Sequence, residues 1–301
     1  MYRLLKRYLT SAFLLGSMFS LHTANAAPPQ DLKGTNVVLV HGAFADGSSW
    51  DKVIPLLEAR GLHVVSVQNP LSSLADDTAA TRRAIEQQTG PVVLVGHSWG
   101  GFVITQAGDD ARVKALVYVA ALVPDSGASV NDMMKDQPAP AWAGELRKDS
   151  ANFLTLSTNA VVNDFAQDLP PAQARILATT QGPWFAGCLD DKVSIAAWHT
   201  KPSWFVVANH DRMIDPRAEE AMAREIGATT IHVDSSHVAI ESSEGGCRRD
   251  HRGGKQSWFV AVKNVKRTRS IHRSPATYAH IDQTKQCLAP RLPAFELLKY
   301  V

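Results

Sequence analysis

Ser98 stands in Gly96-His97-Ser98-Trp99-Gly100-Gly101, a match to the pattern G-x-S-x-G. A serine hydroxyl is a poor nucleophile until a base takes its proton and a third group holds that base in the right tautomer. Pro91-Val92-Val93-Leu94-Val95 before the motif is short, apolar and β-branched, as a buried parallel strand should be. Gly101-Phe102-Val103-Ile104-Thr105-Gln106-Ala107 after it can open a helix. A strand-to-helix turn this sharp strains the serine backbone and lifts the hydroxyl above the sheet. It also sets the hydroxyl beside a helix N-terminus, where developing negative charge is favoured. The plain alternative is a glycine-rich turn that merely contains a serine, and the flanking pattern argues against it.

Elbows of this kind take their partners in the chain order serine, acid, histidine. Trp204-Phe205-Val206-Val207-Ala208 is a compact apolar run, and Asp211 falls just beyond its C-terminal end, the edge where α/β sheets gather catalytic groups. Asp215 competes, but it precedes Pro216 and the helical run Arg217–Ile226, which is an N-cap signature. Asp211 is therefore the expected acid. Thr229-Thr230-Ile231-His232-Val233-Asp234 reads as the last ordinary strand and Ser235-Ser236-His237 as the loop after it. Of 11 histidines, His237 alone combines the right order with a loop after a strand, so it is the expected base. His41 and His97 flank other motifs, His199 and His210 precede or border the acid, and His232 lies inside a strand. The oxyanion of a tetrahedral intermediate needs backbone donors. One is expected from Trp99, the residue after the nucleophile. The other is expected from Ala43, in His41-Gly42-Ala43-Phe44 after the strand Asn36-Val37-Val38-Leu39-Val40.

The elements that must position these groups alternate along the chain. Strand 36–40, helix 50–60, strand 62–67, helix 74–88, strand 91–96, helix 100–108 and strand 113–121 predict an α/β fold. Its sheet is mostly parallel, of about six strands, with helices on both faces. Gly61 supplies a helix stop. No internal repeat is visible.

With these motifs the chain resembles the α/β-hydrolase superfamily over about residues 35–242. It is most similar to the small esterases related to hydroxynitrile lyases and plant methylesterases. The residues that carry the likeness are His41-Gly42-Ala43-Phe44 with Gly47 and Trp50, the Ser98 motif, Asp211, and Ser236-His237-Val238. The resemblance implies a serine carboxylesterase acting on a small-molecule ester, with no metal and no cofactor. An aspartate in place of Ser98 would have implied a dehalogenase or an epoxide hydrolase. The resemblance further implies that the first two strands of the parent fold are absent, and that a helical lid covers the site over about 124–202. Met133, Met134, Trp142, Phe153, Phe165, Trp184, Phe185 and Trp198 fall in that lid. They either roof an apolar pocket over Ser98 or form the lid's own core. A hydroxynitrile lyase would use the same scaffold with a lysine near the pocket, and the sequence identifies none. A non-catalytic ligand-binding relative is the third reading.

Arg3, Lys6 and Arg7, an apolar stretch from about Leu9 to Leu21, and Ala24-Asn25-Ala26 form the three parts of a secretory signal peptide over 1–26. Cleavage after Ala26 and export, to the periplasm or as a secreted protein, are expected, with no stable membrane span afterwards, because the stretch is short for a bilayer. A retained N-terminal anchor is the alternative. The three cysteines give no disulfide framework. Residues 27–244 carry a net charge of −10, whereas 245–301 carry +9. Such a tail can mark an anionic partner, but no nucleic acid is expected here. The fold calls for an amphipathic helix after the histidine loop, and 245–301 lacks that periodicity. Back-translated and read one nucleotide later, Glu244 to Lys255 permits (Lys/Arg)-Glu-Val-Ala-Ala-Val-Ile-Ile-Glu-Ala-Ala-(Ser/Asn), a strong helix former. The tail therefore reads as a frameshift product; the triad lies upstream of it, and a hydrolase inactivated by the frameshift is a further alternative. Oligomeric state is left open by the sequence.

Overall fold

The computed structural model describes residues 34–242 and the backbone of 247–248. The expected signal peptide, and the tail apart from that pair, lie outside the described residues.

The first element of the described residues is β1 (Asn36–Val40), all of it buried. A turn of 3-10 helix follows at Gly47–Trp50, its end held by the Asp46 side chain, which accepts from the Ser48 N–H. Then come α1 (Ile54–Glu58), β2 (His63–Val67), α2 (Leu74–Glu86), β3 (Val92–His97), α3 (Gly100–Ala107) and β4 (Val113–Val119). The helix expected over 50–60 is thus split into a 3-10 turn and a short α-helix. Pro55 has no N–H to donate and sits in the first turn of α1, the position where proline is tolerated.

The lid departs most from expectation. It holds α4 (Val130–Met134), α5 (Thr158–Ala160) and α6 (Pro171–Thr180), but also β5 (Leu146–Lys148), β6 (Phe153–Leu156) and β7 (Trp184–Phe185). These strands form a three-stranded antiparallel sheet in the order β5-β6-β7, so a purely helical lid is corrected. Phe153-Leu154-Thr155-Leu156 alternates between half-buried and buried, the period of two of a strand.

After the lid come β8 (Ser203–Ala208), α7 (Pro216–Glu225) and β9 (Thr229–Val233). A two-residue β10 (Cys247–Arg248) pairs antiparallel with β9, beyond the boundary expected at residue 244. The main sheet runs β10-β9-β8-β4-β3-β1-β2, and its six longer strands are parallel. Successive residues of β1 serve opposite faces. Val38 and Val40 pack with Leu74, Ile85, Phe102 and Met222, from α2, α3 and α7. Val37 and Leu39 pack with Trp50, Val53 and Leu57.

A linked set of contacts fastens the lid to the turn after β3. Phe185 donates its N–H to the Leu71 carbonyl at 2.8 Å. Leu71 donates its own N–H to Asp77 Oδ1 at 2.7 Å, and Trp99 Nε1 donates to Asp77 Oδ2 at 2.8 Å. Trp184 closes the set, with ring centroids 5.2 Å from Trp99 and 5.9 Å from Phe44. Asp77 is fully buried and has no cation beside it among these contacts. Burial pushes its carboxyl up to about 6. Asp77→Ala would leave two buried N–H donors without acceptors, and is expected to cost about 3 kcal/mol in urea denaturation. A loss below about 1 kcal/mol would contradict this role. The folded chain holds the Asp77 proton to higher pH than the unfolded chain does. Its contribution to stability is therefore largest at low pH and falls as pH rises from the ordinary carboxylate range to about 6. The margin of wild type over Asp77→Asn should shrink across that window.

Candidate active site

Ser98 occupies the turn between β3 and α3 with φ 54°. A non-glycine residue there is strained, and the neighbourhood enforces the strain. A Cβ on Gly96 would lie 2.6 Å from the Gly100 carbonyl oxygen, and one on Gly100 would collide with the Val40 carbonyl oxygen. Hydrogen bonds fix the turn further. The Ser98 N–H donates to Val119 O at 3.2 Å, and its carbonyl accepts from the N–H groups of Gly101 and Leu122.

Asp211 and His237 reach Ser98 from the ends of β8 and β9, which are paired through Ala208 and Val233. His237 Nε2 lies 2.8 Å from Ser98 Oγ, and His237 Nδ1 lies 2.6 Å from Asp211 Oδ2. A carboxylate oxygen only accepts, so Nδ1 carries the proton and Nε2 is left to accept from the serine hydroxyl. Asp211 Oδ1 accepts from the N–H groups of Met213 at 2.6 Å and Ile214 at 3.0 Å. All of Asp211 and His237 is buried, and Ser98 is half-buried.

The supporting contacts come from both body and lid. His97 Nε2 donates to the His237 carbonyl at 2.8 Å. Burial, then the adjacent His237, pushes the His97 imidazole down to about 3, so it acts as a neutral donor. Asp168 in the lid accepts from the Ser236 N–H at 2.9 Å and from Ser242 Oγ at 2.6 Å, and so ties down the histidine loop. Phe165 packs on the catalytic-type imidazole, with ring centroids 5.3 Å apart.

The loop after β1 lies against the serine. A Cβ on Gly42 would stand 2.7 Å from Ser98 Cβ, so only glycine permits this approach. His41 Nδ1 donates to Gly42 O at 2.8 Å, while its Nε2 accepts from the Asn69 N–H at 2.9 Å. Ala43 follows directly and is buried, and Trp99 caps the N-terminus of α3. Both expected oxyanion donors therefore belong to backbone that flanks Ser98.

The rival groups have other partners. Asp215 caps α7, accepting from the Arg217 N–H at 2.8 Å and from Arg217 Nη2 at 2.7 Å. His232 sits between Asn209 Oδ1 and Glu220 Oε2. His199 donates to Asp125 Oδ1 at 2.8 Å. Lid aromatics divide between the two roles expected of them. Trp184 is buried, and the indoles of Trp142 and Trp198 donate to the carbonyls of Met213 and Pro124. Phe165 lines a small cleft beside the histidine loop, together with Phe44, His97, Leu177 and Val238. Sequence reasoning missed Asp77, Asp168 and Glu219, the last a fully buried carboxyl on α7 whose Oε2 accepts from the Ala208 N–H at 3.1 Å.

The chain is similar to several known proteins. Probable hydrolase R7 of Phoma sp. is 27% identical over 233 residues, 67% of this chain and 90% of that protein. Methylesterase 3 of Arabidopsis thaliana is 33% identical over 139 residues, 41% of this chain and 49% of that protein, so the match spans about half its length. An extracellular alpha/beta-hydrolase from a Paenibacillus species superposes with a TM-score of 0.61 at 22% sequence identity, covering 70% of this chain and 94% of that one, a likeness of fold. The model of the Alpha/beta hydrolase family matches residues 37–246. The chain belongs to the alpha/beta hydrolase family.

Proposed function

We propose that this chain is a serine carboxylesterase that cleaves small carboxylic esters through an acyl-enzyme. One observation carries the reading: the unbroken hydrogen-bond chain Asp211–His237–Ser98, at 2.6 and 2.8 Å. The relatives named hydrolase and methylesterase support ester hydrolysis as the reaction class.

Ser98 Oγ attacks the ester carbonyl carbon as His237 Nε2 takes its proton. The carbonyl π pair moves to oxygen, where the Ala43 and Trp99 N–H groups stabilise it. Asp211 stabilises the imidazolium and keeps its own charge. Collapse of the intermediate breaks the ester C–O bond, and His237 returns the proton to the leaving alcohol. Water, deprotonated by His237, then attacks the acyl-enzyme and releases the acid, with the proton restored to Ser98.

Kinetics with p-nitrophenyl acetate test the roles. Ser98→Ala and His237→Ala are each expected to lower kcat by roughly 10⁴ or more. Asp211→Ala should follow within about two orders of magnitude. Asp215→Ala should cost only about 1 kcal/mol of stability through its cap. Substantial activity in Ser98→Ala, or equal losses at Asp211 and Asp215, would contradict the assignment.

Export by a signal peptide over 1–26 belongs to the same proposal. Among the described residues no helix is long and apolar enough to cross a membrane. N-terminal sequencing of protein recovered from the expressing cells should begin at Ala27, and an intact Met1 would contradict cleavage. The frameshift reading of 245–301 is likewise ours. The family match stops at residue 246. Gene sequencing should show an open frame one nucleotide downstream of Glu244, and an immediate stop codon there would end the idea.

A further inference from the structure

Glu219 is a charged residue type with no exposed surface, on α7 beside the buried Met222 and Ala223. Its Oε2 accepts from the Ala208 N–H at 3.1 Å. Its Oε1 has no donor. The Asp211 N–H closes the same turn on the Ala208 carbonyl at 3.1 Å, so the Glu219 carboxyl lies at the turn that carries Asp211, the carboxyl that acts on it most strongly. Two carboxylates cannot share a buried contact with both ionised, because neither can donate and their charges repel. The proton must therefore reside on one of them. Asp211 already receives three N–H groups, from His237, Met213 and Ile214. That set suits a carboxylate and leaves the proton to Glu219.

Resting on the proposed triad, we infer that Glu219 is a positioning residue that stays protonated and donates its O–H to the Asp211 carboxylate, as a fourth member behind the triad. The Glu219 carboxyl is held well above the ordinary range by burial, then by the Asp211 charge. Other titratable groups near this pair are Asp215, at the start of the same helix and paired with Arg217, and His237 and His97 across Asp211. No Lys or Arg contacts Glu219 among the described hydrogen bonds and ion pairs, so no cation is on hand to keep it ionised. The bond has a functional consequence. By drawing density from Asp211, a neutral donor limits how strongly that carboxylate holds the imidazolium.

Three forms of the mature chain decide the matter: wild type, Glu219→Gln and Glu219→Leu. Glutamine keeps both contacts, its carbonyl accepting from Ala208 and its amide donating to Asp211. It should leave the acid limb of the kcat/KM–pH profile within about 0.3 pH unit of wild type. Leucine removes the donor and should move that limb upward by about 0.5–1 pH unit. An infrared difference spectrum of wild type minus Glu219→Gln at neutral pH should show the C=O stretch of a protonated carboxyl. This readout needs neither activity nor a stable leucine variant. If Glu219 is ionised instead, Glu219→Gln removes a negative charge and moves the acid limb down by about 1 pH unit, and the difference spectrum shows a carboxylate. Either result overturns the inference. Activity that survives Ser98→Ala would sink the triad reading separately, while the infrared band would still report the state of Glu219.

Discussion

The left-handed backbone at Ser98 is the constraint on which the rest of the site depends. Its cost, of order 1–3 kcal/mol, is met by packing around it. Gly96, Gly100 and Gly42 let three backbone segments close on the serine from below and from the side. The parallel sheet then supplies the partners. Registered pairing of β8 with β9 puts the residues beyond Ala208 and Val233 side by side, so Asp211 and His237 emerge together at the edge where β3 delivers Ser98.

A second theme is the handling of charge without cations. Asp77, Asp211 and Glu219 are all buried, and each is satisfied by N–H donors or, for Glu219, by a shared proton. His97 is kept neutral by burial and serves as a donor to the histidine loop. Among groups this deeply buried, electrostatic terms are strong, and an unmatched charge would be costly. Donors that are fixed before substrate arrives need not reorganise as the oxyanion forms. The lid shares this task. Asp168 holds the loop of His237, and β7 is bonded to Leu71, which Asp77 links to Trp99.

Much of this was legible in the sequence, for physical reasons. Buried parallel strands such as Val92–His97 are continuous apolar runs, and glycine spacing around Ser98 betrays the tight turn. Asp215 before Pro216 announced a helix cap, which separated it from Asp211. The lid was harder, because its strands are only two to four residues long and no periodicity establishes itself over so short a run. Buried carboxyls were missed because an acid on a helix normally faces water. A signal was present even so: Glu219 stands three and four residues before Met222 and Ala223, on the stripe that α7 buries. Asp77 lies next to Asp76, which is exposed and bonded to the capping Ser73, and charge alone cannot distinguish the two.

The central claim is that Ser98 is an activated nucleophile. It is tested most directly by treating the mature chain and its Ser98→Ala variant with a fluorophosphonate, followed by intact mass and peptide mapping. The reagent reports an activated serine without knowledge of the natural ester. The account predicts stoichiometric modification of wild type on the peptide containing Ser98, and none in the variant. Folded wild-type protein that stays unmodified, or equal modification of the variant at another serine, would contradict it.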